Sequence, residues 1–120
     1  MTGYIVFAHG SSVESANDAV RAVAAETARR GGWKLHETAF LGGGRPELPE
    51  AVAKLAAGGA ARIVVIPYFL TAGLHLERDL PALIVKLRLA HPTLSIRLTG
   101  PLDGHPGLVD AILDRAGKVD

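Results

Sequence analysis

The strongest constraint on this chain is a pattern that occurs four times. A short apolar run rich in β-branched or aromatic residues is followed by a longer stretch with helical spacing. The apolar runs cover 3–8, 33–41 ("WKLHETAFL"), 62–70 ("RIVVIPYFL") and 94–100 ("LSIRLTG"). "YIVFA", within the first, has no charged residue, as expected of an interior strand covered on both faces. Helices are expected over 14–30, over 47–57, from beyond "TAGLHLERDL" to about 90, and over 106–117. The first would bury Ala16, Ala19, Val20, Val23, Ala24 and Thr27, the third Leu80, Leu83, Ile84 and Leu87, the fourth Leu108, Val109, Ile112 and Leu113. "RRGG" at 29–32 ends the first helix with positive charge and then glycine. Pro81 suits the first turn of the third, where a missing N–H costs little.

Strand-helix alternation of this kind implies an α/β fold with a parallel sheet and helices on both faces. Right-handed crossovers limit the topology, and strand order 2-1-3-4 is expected by analogy with larger doubly wound sheets. Ligands then bind at the carboxyl edge, at the switch point between strands one and three. A length of 120 residues suits one domain spanning 1–120, and a 48% hydrophobic content supplies a core. Thirteen Lys and Arg against twelve Asp and Glu leave a net charge of +1 with no basic run, so no nucleic-acid partner is expected. Charges interrupt every apolar run, so no membrane span is expected. The first residues lack the basic start of a signal peptide, which makes the cytoplasm the expected location. Cysteine is absent. Disulfides and thiolate metal sites are therefore excluded, and a transition metal would need His, Asp, Glu or backbone oxygen.

The residues at the switch point carry the chemistry. His9 follows strand one directly, and His75 follows strand three in "TAGLH". The topology directs two imidazoles, distant in sequence, towards one crevice. Neutral imidazole binds a divalent transition metal or accepts a proton near neutral pH. Ser11 or Ser12 is expected to cap the first helix, Ser11 in a capping box with Glu14. Asp79 is expected to cap the third helix; orienting an imidazole is its alternative role. The glycines at 42–44 lack the Lys-Ser/Thr of a phosphate loop. His36, His91 and His105 read as structural. "YFLTAGLHL" puts Tyr68, Phe69, Leu70, Leu74 and Leu76 around His75, either as core or as the wall of a large flat apolar ligand.

Three segments, "FAHGSS…N", "IPYFLTAGLHLERDLP" and "GPLDGHPGLVDAILDR", resemble the small class II chelatases of the CbiX/SirB type, the sirohydrochlorin cobaltochelatases and ferrochelatases. The resemblance runs through nearly the whole chain in the right order. It implies a chelatase-like three-layer fold and homodimers. It implies insertion of Co²⁺ or Fe²⁺, Ni²⁺ in some members, into sirohydrochlorin or a close relative without ATP. No permanently bound cofactor is implied. His9 and His75 match the family's active-site histidines, as catalytic residues and metal ligands. Ser11, Phe69, Leu70, Thr71, Gly73 and Leu74 are the macrocycle contacts expected with them, and Arg45 and Arg78 are candidates for meeting its rim carboxylates. Many members carry a glutamate after the Phe-Leu of strand two. This chain has Gly42 there, with Glu47 the nearest later carboxylate, and Ser12 where an arginine is common. The alternatives are a tetrapyrrole or metal carrier without catalysis, or a small hydrolase or mutase using His9.

Overall fold

The computed structural model describes residues 1–70 and 73–118, apart from the side chains of Leu74 and His75. Its elements are β1 (Thr2–Ala8), α1 (Glu14–Gly31), β2 (Leu35–Phe40), α2 (Leu48–Ala57), β3 (Arg62–Pro67), α3 (Leu74–Ala90), β4 (Ser95–Leu98) and α4 (Pro106–Ala116). The strands form one parallel sheet in the order β2-β1-β3-β4. Fold class and strand order agree with the sequence reading, because right-handed crossovers leave few other ways to wind four βα units.

Alternation along the strands separates two layers. One face carries Ile5, Phe7, Ala39, Ile63, Val65 and Ile96, each at most 2% exposed, packed against Leu48, Val52 and Leu55 of α2 and Leu80, Ile84 and Leu87 of α3. Each large apolar side chain buried here contributes about 1.5–3 kcal/mol. Arg88, near the end of α3, fixes that helix by donating twice to the Ile96 carbonyl, at 2.9 and 2.7 Å. On the opposite face Val6, Ala8 and Phe40 are buried, as are Ala24 and Ala28 of α1. Tyr4 stacks on Trp33 at 4.2 Å on this side.

Several expected boundaries shift. Strand two starts at Leu35 and strand four spans only Ser95–Leu98. Strand three stops at Pro67, although Tyr68 still donates to the Phe7 carbonyl. The third helix begins at Leu74, with Gly73 at its N-cap and no side-chain cap. Asp79 is therefore not a cap, and Pro81 lies inside the helix rather than in its first turn. The first helix is capped at Val13, again without a side-chain bond, so neither Ser11 nor Ser12 caps it.

One expected helix face holds only in part, at Ala24 and half-buried Val20, and another fails. α1 buries Asn17, Ala24 and Ala28, and leaves Ala16, Ala19, Val23 and Thr27 exposed. α4 buries none of its residues. Among the described residues no helix is long and apolar enough to cross a membrane.

Candidate active site

His9 is the first residue beyond β1 and is exposed at the carboxyl edge of the sheet. Its ring meets the Phe69 ring edge-on, with centroids 5.1 Å apart. Phe69 is 5% exposed and itself meets Phe7 edge-on at 6.1 Å. The imidazole thus stands on an aromatic stack rooted in the core, which restricts its position without burying it. Leu70, next in the chain, is 63% exposed.

The turn that carries His9 has little freedom. Gly10 has φ +86°, and a Cβ there would lie 1.7 Å from the Gly42 carbonyl oxygen. No side chain fits so close an approach. Leu41 and Gly42 donate to the carbonyls of Ala8 and His9, at 2.9 and 3.0 Å, so the loop after β2 runs beside the loop after β1. Gly42, the position of the family's glutamate by resemblance, is therefore a neighbour of His9. It is exposed, and a Cβ added there meets no atom within 4 Å.

Asn17 holds the two loops together. It is 1% exposed. Its side-chain carbonyl accepts from the Ser11 N–H at 2.9 Å. Its amide donates to the Ser11 carbonyl at 2.9 Å, to Glu14 at 3.2 Å and to the Gly43 carbonyl at 3.2 Å. Ser11 contributes its backbone to this clamp, while its hydroxyl accepts from the Val13 N–H at 3.0 Å. Sequence reasoning missed Asn17 as a site-building residue, although "FAHGSS…N" contained it.

Arg21 reaches Glu14, Asp18 and the Arg45 carbonyl, and its guanidinium lies 5.0 Å from the centre of the Phe40 ring. The hydrogen bond from Arg21, then that from Asn17, holds the Glu14 carboxyl below its ordinary value of 4.5. A depressed folded-state value stabilises the protein above the unfolded value, and this is lost as pH falls through the folded one. Thermal melts from neutral pH into this acid range are expected to show a steeper Tm decline for the parent than for Glu14→Gln.

A shallow open pocket of about 210 Å³ lies beside His9, lined also by Ser11, Ala16, Asn17, Val20 and Tyr68. Drug-sized ligands ordinarily occupy roughly 300–1,000 Å³, so in one chain this is a ledge rather than an enclosure. A second pocket, about 250 Å³, opens between α2 and α3 beside Phe40, Leu41, Glu47 and Leu83. Glu47 is the N-cap residue of α2 and also borders a polar hollow with Glu14, Arg21 and Arg45.

The remaining candidates divide plainly. The backbone of His75 lies in the first turn of α3, not in a loop as expected, and its side chain and that of Leu74 lie outside the described residues. Thr71 lies outside them too. Gly73 is exposed at the start of α3. Arg45 is exposed and paired with Glu50 at 2.9 Å, and Arg78 is exposed on α3. His105 caps α4, its Nδ1 accepting from the Gly107 N–H at 2.9 Å. His36 is exposed on the edge strand β2, and His91 ends α3. Tyr68, read from the sequence as core or as ligand wall around His75, lines the His9 pocket. Among the described residues no three His, Cys, Asp or Glu side chains group as a metal cage.

Comparison with known proteins agrees with this fold. The CbiX family model matches residues 3–119. The sirohydrochlorin cobaltochelatase of Sulfolobus acidocaldarius is 30% identical over 98% of this chain and 92% of its own. The sirohydrochlorin cobaltochelatase of Priestia megaterium is 29% identical over 96% of this chain, which spans only 37% of that protein's length. The crystal structure of a CbiX protein from Marinobacter aquaeolei VT8 superposes with a TM-score of 0.88, at 30% identity, covering 98% of this chain and 96% of that one. By sequence and by fold, the chain belongs to the CbiX family.

Proposed function

We propose that this protein inserts a divalent metal, Co²⁺ or Fe²⁺, into sirohydrochlorin or a closely related tetrapyrrole, in cobalamin- or siroheme-type biosynthesis. The observation that carries the reading is His9, exposed at the carboxyl end of an interior strand and steadied by Phe69. His75 lies in the first turn of the helix that follows the neighbouring strand. Family membership and the names of the relatives support the same chemistry. His9 and His75 are the proposed metal ligands and catalytic groups. Ser11, Phe69, Leu70, Thr71, Gly73 and Leu74 are the proposed surroundings of the macrocycle, and two copies of the chain are the proposed working unit.

The chemistry asks for little more. As the dication enters the macrocycle, the inner N–H protons leave. Neutral imidazole can deliver the metal or accept a proton, but a ring nitrogen bound to metal cannot act as a base at the same time. Two histidines allow those tasks to be divided. The exposed position of His9 suits exchange with a flat ligand resting on the ledge, and Leu70, next to Phe69 in the chain, offers exposed apolar surface. The test is anaerobic incubation with sirohydrochlorin and Co²⁺, Fe²⁺ or Ni²⁺ in turn, followed by absorbance. Metal-dependent conversion above the uncatalysed rate is the expected result. No acceleration with any of the three metals overturns the proposal.

Gly42 favours a second reading, a tetrapyrrole or metal carrier. It adjoins His9 and brings no carboxylate. Tight binding of macrocycle and metal without conversion would select the carrier. Gly42→Glu is expected to strengthen Co²⁺ binding by roughly tenfold, about 1.4 kcal/mol, the order expected of a solvated carboxylate near a dication. Calorimetric titration of parent and variant checks it.

A further inference from the structure

A proline interrupts the hydrogen-bond ladder of α3. Pro81 stands inside the helix, well past its first turn. It carries no N–H, so the Glu77 carbonyl lacks the bond that residue 81 would otherwise give, and the proline ring crowds that carbonyl. Sharp kinks in helices concentrate at such positions. The two sides of the break are held very differently. Beyond it, Ile84 and Leu87 are 2% and 5% exposed, and Arg88 donates twice to the Ile96 carbonyl. Leu80, 6% exposed, lies at the joint. Before it, Glu77, Arg78 and Asp79 are exposed and Leu76 is half-buried. Gly73, the N-cap, gives no side-chain bond; its carbonyl accepts from the N–H groups of Leu76 and Glu77 at 3.0 and 3.1 Å.

Beside the break there is room. An apolar pocket of about 130 Å³ is bounded by Leu76, Glu77, Leu80 and Pro81 on the helix, and by Pro67 and Leu98 at the carboxyl ends of β3 and β4. Its position gives a direction. β4 lies on the side of β3 away from β1, and His9 follows β1. A helix start that settles into this pocket therefore moves away from His9.

We propose that Pro81 is a hinge. Residues 74–80, the first two turns of α3, rock as a unit into the pocket and back, opening and closing the crevice between the start of α3 and His9. The far half of the helix does not follow, because Ile84, Leu87 and Arg88 fix it to the core and to β4. From Pro81 back to His75 is about 9 Å of helix, at roughly 1.5 Å per residue, and a tilt of about 10° over that lever carries the His75 backbone roughly 1.5 Å. A misplacement of about 1 Å can cost roughly 10²-fold in rate. So small a tilt is enough to separate a position that admits a ligand from one that engages it. That consequence rests on the proposed role of His75; the hinge itself does not.

The test needs neither metal nor macrocycle, so its outcome is separate from that of metal insertion. Backbone relaxation dispersion on the free protein reads motion on the microsecond-to-millisecond scale. Exchange broadening is expected at residues 76–80 and not at 84–88, with the minor state keeping helical carbon shifts. Pro81→Ala restores the missing N–H, and Leu98→Phe fills the pocket from β4. Circular dichroism first verifies that each variant is folded. Pro81→Ala is expected to reduce the broadening at least about threefold, the effect of one backbone hydrogen bond on the minor population, and Leu98→Phe to reduce it as well. Absence of broadening at 76–80 in the parent overturns the proposal. So does a minor state with random-coil shifts, since the helix start then unwinds rather than rocks. Undiminished broadening in Pro81→Ala, or in a folded Leu98→Phe, also overturns it, because the motion then depends neither on the missing bond nor on the room beside it.

Discussion

Replacing His9 with alanine is expected to lower metal insertion by roughly 10²–10⁴-fold, the range for losing a positioned acid-base group, while the fold survives. The ring is exposed and meets Phe69 edge-on at the rim of the core, so little packing is lost. His75→Ala is expected to fall in the same range. If the rings divide the tasks, the double variant falls no further than about the poorer single one, because residues acting as a unit are strongly non-additive. Initial rates under anaerobic conditions, with melting curves on the same samples, check both parts. Parental rates in both single variants would remove the histidines from the mechanism.

The largest stability effect is expected at Asn17. Asn17→Leu keeps the volume close but removes four hydrogen bonds that tie Ser11, Glu14 and Gly43 to one buried amide. Leaving a buried polar group unpaired costs about 1–3 kcal/mol, but Ser11 is only half-buried and Gly43 is exposed, so water replaces part of what is lost. A loss of about 1–3 kcal/mol follows, readable as a lower denaturation midpoint at unchanged slope. Asn17→Asp separates hydrogen bonding from shape. It retains the acceptor for the Ser11 N–H, but turns a carboxylate towards two carbonyls and Glu14. Burial beside those acceptors is expected to raise its folded-state pKa, so its cost is fully developed above that raised value and shrinks as pH falls towards the unfolded one. If Asn17→Asp is as stable as the parent at neutral pH, the clamp is not what holds the loops.

Much of the fold was legible in the residues because periodicity reports burial. "YIVFA" and "RIVVI" read as interior strands and became β1 and β3. Leu80, Ile84 and Leu87 read as one helix face and are buried together. Asn17 was not legible, because a polar residue on an amphipathic helix ordinarily signals the solvent side. Here the loop carbonyls satisfy it, and the packing face of α1 turns towards it. The start of α3 was hidden for a different reason. Gly73 gives no side-chain cap, and Pro81 suggested a first turn where the helix is already under way. Of the proposed site, His9 was readable from its place after a strand, whereas the closeness of Tyr68 and Gly42 to it came only through pairing between strands.

By itself, the sequence determined the order of strands and helices, the parallel sheet and the edge at which His9 emerges. Those follow from local periodicity and from the handedness of crossovers, which every residue of an element reinforces. Tertiary structure decided which side of α1 is buried, that Asn17 bridges two loops, and that α4 and the outer face of β3 are left uncovered. Those depend on which surfaces meet across the sheet. A hydrophobic stripe records that a face is to be covered, but not by what.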